Sequence, residues 1–94
     1  MSATLNIAIT DTCGCRRNLQ AERASLDCGA GCLEFQAGCP AYCRKFEDAV
    51  LRILNPAGET AFVLRNGTAS LTATALHILC EEFQEEGASA GFQT

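Results

Sequence analysis

Apolar and polar residues alternate at the start of the chain. In residues 4–10, Leu5, Ile7 and Ile9 occupy every second position between smaller or polar residues. A period of two in β-branched company is typical of a half-buried strand. The Asp and Gly of residues 11–15 follow and mark a turn. The pattern therefore predicts a strand that leads into a turn.

Two later stretches have helical signals. Residues 17–27 are rich in good helix formers and predict a short helix. Pro40 follows Cys39 and suits the first position of a longer helix. Apolar residues then recur at spacings of three and four as far as Leu54, which is typical of a helix with one face in the core. The sequence predicts a helix from Pro40 to Leu54.

The second half of the chain predicts a hairpin and a final helix. Residues 60–65 read as a strand, and the Asn-Gly pair at 66–67 is a strong signal for a tight hairpin turn. A short return strand at 68–70 and a helix over 71–86 are expected to follow. Residues 87–94 are rich in Gly, Ala and Ser and are expected to form a flexible tail.

Together these elements predict an α+β fold. Two or three short antiparallel strands form a small sheet packed with two main helices, and a cysteine-rich, metal-stabilised segment spans residues 13–43. The 94 residues suit a single domain, 1–94. A chain of this size buries roughly 60–65% of its unfolded surface, so a metal or a cross-link would help it to fold.

The cysteines suggest the chemistry. Six of the seven fall in the spacing C-x-C-x12-C-x3-C-x6-C-x3-C. Close cysteine pairs supply two zinc ligands from one turn, and a structural zinc takes four. We expect a zinc centre formed by four of them, or a two-metal cluster formed by all six. The candidate ligands are Cys13, Cys15, Cys28, Cys32, Cys39 and Cys43.

Other uses of these thiols stay open. They could hold an iron–sulfur cluster, remain unliganded, or form disulfides in the pairing Cys28–Cys43 with Cys32–Cys39. The first residues have no basic, apolar leader, and no apolar run approaches the length of a membrane span. A cytoplasmic location is therefore expected, and its reducing conditions favour metal over disulfide.

Charge is distributed unevenly. The net charge is −4, with +1 in residues 1–45 and −5 in residues 46–94. This acidity disfavours direct nucleic-acid binding. One acidic run near the end is a candidate docking surface for a basic protein partner, with a solvated surface as the alternative. It contains Glu81, Glu82, Glu85 and Glu86.

No motif for nucleotide binding or metalloprotease chemistry occurs, so an enzyme is not expected. His77 is expected to be a partly buried structural residue, and Cys80 a small buried hydrophobe. The favoured function is a small non-enzymatic protein-interaction or regulatory module stabilised by a metal. One alternative is an acidic inhibitor of the phage or mobile-element type that occupies a basic nucleic-acid-binding groove. Another is a redox or metal-handling protein that uses the dithiol of Cys13 and Cys15.

Overall fold

The computed structural model describes residues 4–55 and 58–87, and within them every regular element is a strand. Seven strands form one mixed sheet in the order β2-β1-β7-β6-β5-β3-β4. Strand β1 runs parallel to β7, and all other neighbours are antiparallel. The strands are β1 (Leu5–Asp11), β2 (Arg16–Ala21), β3 (Arg23–Asp27), β4 (Cys32–Gln36), β5 (Tyr42–Asn55), β6 (Gly58–Thr72) and β7 (Ala75–Gly87).

The predicted α+β fold with two main helices is therefore wrong. The expected short helix over residues 17–27 lies in β2 and β3, the helix from Pro40 to Leu54 is largely β5, and the helix over 71–86 is largely β7. Two of the three predicted strands are confirmed, because residues 4–10 lie mostly in β1 and residues 60–65 belong to β6. The return strand expected at 68–70 is wrong, because these residues continue β6 in the same direction.

A change of phase within each long strand explains the mistake. In β5, Ala49, Leu51 and Ile53 are buried with a period of two, but the preceding buried residue is Phe46. The step of three between Phe46 and Ala49 resembles a helical spacing. It arises because two consecutive residues, 47 and 48, are both exposed.

The same interruption occurs in three adjacent strands at one level of the sheet. Polar residues fill it in each case, as Glu47-Asp48 in β5, Arg65-Asn66 in β6 and Glu81-Glu82 in β7. The register places these pairs side by side, with Asp48 opposite Arg65 and Arg65 opposite Glu82. We call this level the bend. In each of the three strands, the side chains that alternate towards the core change there from one set of alternate residues to the other.

The bend divides the sheet into two layers. The first layer contains β2, β1 and the parts of β7, β6 and β5 that pair at residues 75–80, 67–72 and 42–46. The second contains β4, β3 and the remaining parts of the same three strands. The inner faces of the layers share one hydrophobic core. Its largest fully buried side chains are Phe35, Phe62, Leu5, Ile7, Ile9, Leu26, Leu51, Ile53, Leu64, Leu71, Leu76 and Ile78.

Two residues permit the bend. Asn66 has a φ of 38°, in the left-handed region that Asn tolerates better than most residues. A Cβ atom on Gly67 would overlap the carbonyl oxygen of Leu79 and lie 2.8 Å from the Cα atom of Cys80. The expected hairpin turn at Asn66 and Gly67 is wrong, since both lie within β6. The residue types that suit a tight turn suit this bend for the same reason.

The described part of the chain ends at residue 87. The expected flexible tail over 87–94 falls outside the described residues except for Gly87, which ends β7. Within 4–55 and 58–87 there is no helix with the length and apolar character needed to cross a bilayer.

Candidate functional site

The six cysteines proposed as metal ligands lie in three separate places. Two are in the turn between β1 and β2, two are at the turn between β3 and β4, and two flank the start of β5. The β1–β2 turn belongs to the first layer, whereas the β3–β4 hairpin belongs to the second. In this order the pairs are Cys13 with Cys15, Cys28 with Cys32, and Cys39 with Cys43.

This separation does not assemble a metal centre. In the part of the chain that the structure describes, no three His, Cys, Asp or Glu side chains are grouped so that they could hold an ion. All seven cysteines are free thiols. The zinc centre formed by four cysteines, or the two-metal cluster formed by all six, stays a prediction from the sequence.

The turn of Cys13 and Cys15 is organised by a carboxylate. The backbone N–H groups of both residues donate to Asp11 Oδ1, each over 2.9 Å, and Gly14 has a φ of 93° between them. Both thiols are exposed. The negative charge of Asp11 is the main cause that raises the pKa of Cys15. At neutral pH this thiol is therefore protonated and a poor nucleophile.

The two thiols of the β3–β4 hairpin differ in how far they are exposed to solvent. Cys28 packs against the hydrophobic core. Cys32 is exposed and lies opposite Asp27, whose side chain is on the outer face of the second layer. Both cysteines border a groove of about 370 Å³, together with Arg44 and Lys45. The two thiols therefore differ in exposure, with Cys28 half-buried and Cys32 exposed.

Cys43 belongs to a polar row on the first layer. The Ser70 hydroxyl donates to Cys43 Sγ over 3.4 Å, and Ser70 lies opposite His77 on its other side. His77 is exposed, so the expectation that it is a partly buried structural residue is wrong. Strand β6 separates Cys43 from His77, and the two do not form a nucleophile–base pair.

Cys80 is buried beside the bend, which confirms its predicted role as a small hydrophobe. Its thiol donates to the carbonyl oxygen of Thr10 over 3.6 Å. Burial is the main cause that raises the pKa of Cys80 to about 11.

The acidic run of β7 is only partly available for binding. Glu85 forms a two-pronged ion pair with Arg17, at 2.8 Å from Nε to Oε1 and 3.2 Å from Nη2 to Oε2. Glu82 Oε1 is 3.9 Å from Nη1 of Arg65. Glu81 and Glu86 are exposed. A strand, unlike the expected helix, does not hold these carboxylates on one face.

The bend adds carboxylates that sequence reasoning missed. Glu47 and Asp48 lie on β5 at the level of Glu81 and Glu82 on β7, with β6 between them. We call these four side chains the acidic ridge. The consecutive polar pairs in the sequence were the available signal, because in a strand two exposed neighbours interrupt the alternation.

Sequence reasoning also missed a surface. The outer face of the first layer has three cross-strand rows, and none of its residues is a carboxylate. We call it the carboxylate-free face. A shallow groove of about 600 Å³ lies on it, bordered by Asn6, Asn18 and His77 among others. The face consists of Arg16, Asn18, Gln20, Asn6, Ala8, Thr10, Ala75, His77, Leu79, Thr68, Ser70, Thr72, Cys43 and Lys45.

Comparison with known proteins yields matches in structure alone. No protein-family model matches the chain. No curated protein matches it either.

Solved structures share the fold. A chain from the mitochondrial ATP synthase of Euglena gracilis, in a structure of OSCP, F1 and the c-ring in rotational state 1, superposes with a TM-score of 0.77 at 14% identity and covers 88% of this chain. A chain from the central stalk and c-ring structure of the Tetrahymena thermophila mitochondrial ATP synthase gives a TM-score of 0.65 at 14% identity over 85% of this chain.

The match covers part of each longer protein. This chain spans 54% of the Euglena chain and 65% of the Tetrahymena chain. At this identity the likeness shows the fold alone: this chain is similar in architecture to part of a chain from each of two ATP synthase structures.

Proposed function

We propose that this protein is a non-enzymatic protein-interaction module that docks into a larger protein assembly. The observation that carries the proposal is the likeness of its fold, at a TM-score of 0.77, to a chain found within a multi-subunit complex. A rotary ATP synthase, or an assembly built like one, is the first class of partner to test.

The surfaces of the domain support this proposal. The core is apolar, and no buried polar or charged side chain was found among the described residues. The exposed large apolar side chains are instead on the outer faces, with Leu79 at 61% exposure and Val63 and Leu54 at 40% each. A protein interface places apolar side chains at its centre and polar ones at its rim, and these three side chains are the candidates for such a centre.

The experiment is purification of the tagged 94-residue chain from the cells that make it, under gentle conditions, followed by native mass spectrometry. We expect a complex of fixed composition with other protein subunits. A chain that is recovered only as a free monomer would contradict the proposal. The tag expressed without the chain serves as the control for non-specific capture.

A second candidate is the acidic inhibitor that occupies a basic groove. The acidic ridge favours it, because Glu47 and Asp48 on β5 add two carboxylates at the level of Glu81 and Glu82 on β7. The variant Glu81→Lys with Glu82→Lys should then abolish partner binding without unfolding the chain. Binding that survives this change rules out the inhibitor mode.

A further inference from the structure

Charge is separated between the outer face of the first layer and the rest of the molecule. The chain has 11 Asp and Glu residues, and none is on the carboxylate-free face. Arg16 and Lys45 are on it, at its two sides. Both are exposed. In a protein with a net charge of −4, this face is locally cationic.

One cross-strand row of this face has an apolar residue at its centre, a threonine on each side of it and a cation at each end. Leu79 is at the centre on β7, flanked by Thr10 on β1 and Thr68 on β6. Arg16 on β2 and Lys45 on β5 end the row. Leu79 is 61% exposed, the largest value among the exposed large apolar residues found in the described chain. Protein interfaces concentrate binding energy in a central side chain that a polar rim shields from water.

We propose that the carboxylate-free face docks an acidic surface of a protein partner. Leu79 is the apolar anchor, and Arg16 and Lys45 pair with carboxylates of the partner. This inference rests on the proposed function and names the chemistry of the partner that the domain receives.

The size of the face suits a modest interface. Five strands about 4.8 Å apart and about six residues of 3.3 Å each give roughly 24 by 20 Å, or about 480 Å². A standard interface buries about 800 Å² on each partner. The face therefore supplies more than half of a standard interface, and the remainder comes from adjoining turns.

A nucleic acid is a poorer occupant than an acidic protein. The face has two permanent cations, whereas binding to phosphates is driven by many. The exposed Leu79 gains free energy against apolar protein surface and gains little against a phosphate chain.

The test is photo-crosslinking in extracts of the cells that make the protein. A photoreactive phenylalanine replaces His77 in the 94-residue chain, which leaves Leu79 and both cations in place. The matched control carries it at Val63, exposed on the outer face of the second layer. Mass spectrometry of the crosslinked peptides then identifies the contacted segment.

We expect the His77 position to crosslink to one acidic segment of a protein, and the Val63 position to give at least tenfold less of that product. The added changes Arg16→Glu and Lys45→Glu should reduce the yield at least tenfold while circular dichroism shows an intact fold.

Three results would overturn the inference. If the same partner crosslinks at Val63 and not at His77, the docking face is wrong and the proposed function stands. If the product at His77 is a nucleic acid, the proposed chemistry of the partner is wrong. If neither position crosslinks to any protein, the docking face and the proposed function fail together.

Discussion

The bend and the carboxylate-free face are neighbouring levels of the same strands, but different forces determine their residues. At the bend, Gly67 lies against the backbone of β7 and leaves no space for a side chain. Its partner in the register is Cys80, which is buried, whereas Leu79, one residue earlier in β7, is 61% exposed. Folding therefore fixes the residues of the bend, whereas those of the face are free to serve binding.

The largest effect is expected from Gly67→Ala. The new methyl group would overlap the Leu79 carbonyl and lie 2.9 Å from Phe46 Cζ, so the strands must move apart. We expect a loss of about 3 kcal/mol in the free energy of unfolding, measured by urea denaturation.

Gly31→Ala is the matched control for that change. A Cβ atom on Gly31 would meet no other atom within 4 Å, and this glycine does not have a positive φ. Its substitution should change the free energy of unfolding by less than about 1 kcal/mol. Equal losses for both variants would mean that the close packing at the bend is not what Gly67 provides.

The next effect concerns binding and separates the face from the bend. Leu79→Ser should leave the unfolding free energy within about 0.5 kcal/mol of the original, since the side chain is 61% exposed. Loss of a central anchor should weaken partner binding by about 2 kcal/mol, or roughly 30-fold, measured by retention of the partner on the immobilised chain.

Val63→Ser is the matched control for this experiment, because Val63 is also exposed but is on the second layer. It should retain the partner as the unaltered chain does. If the Leu79→Ser chain binds the partner as tightly as the unaltered chain does, Leu79 is not the anchor and the outer face of the first layer has no special role in binding.

The third prediction concerns pH and Cys80. Its folded pKa is about 11, against 9.0 for an unperturbed thiol. Well below pH 9 the thiol is protonated in both states and contributes no pH dependence. Between pH 9 and 11 the unfolded chain releases this proton more readily, so stability falls by at most about 2 kcal/mol as pH rises.

The measurement is urea denaturation of the original chain and of Cys80→Ala at several values between about pH 8 and 11, the range that spans both pKa values. Only the difference between the two pH profiles reports on Cys80, because other groups titrate in the same range. Parallel profiles would show that the thiol is accessible to water and that the bend is open there.

The smallest effect is expected from the ion pair of Arg17 and Glu85, which links β2 to the end of β7. Its side chains are 44% and 39% exposed. Removal of the pair by Arg17→Ala should cost at most about 1 kcal/mol, because exposed ion pairs are weak. The loss should shrink in about 1 M salt. A loss that is insensitive to salt would indicate that Arg17 acts by packing instead of charge.

Parts of the fold could be predicted from the sequence. The alternation of Leu5, Ile7 and Ile9 is confirmed in β1, because a half-buried strand follows one face over its whole length. The same rule failed in β5 and β7, where the bend exchanges the faces and produces a step of three. Distinguishing that step from a helical stripe requires knowledge of the neighbouring strands, which share the same interruption.

The candidate site was less accessible to sequence reasoning. The clustering of cysteines along the chain does not imply clustering in space, since Cys13 and Cys28 belong to hairpins of different layers. For the carboxylate-free face the relation is reversed: its residues are far apart in sequence and close together in space. Its cationic ends, Arg16 and Lys45, are separated in sequence and are brought into one row only by the pairing of β2, β1, β7, β6 and β5.

The most direct test of the docking role is the native mass of the tagged chain as isolated, beside that of Leu79→Ser. We predict a complex well above the 10.0 kDa of the chain for the original protein, and a folded monomer for the variant. An original chain that is isolated as a monomer, with a mass of 10.0 kDa plus that of the tag, would contradict the claim that this domain is a docking module. A variant that retains the complex would contradict the claim that it docks through Leu79.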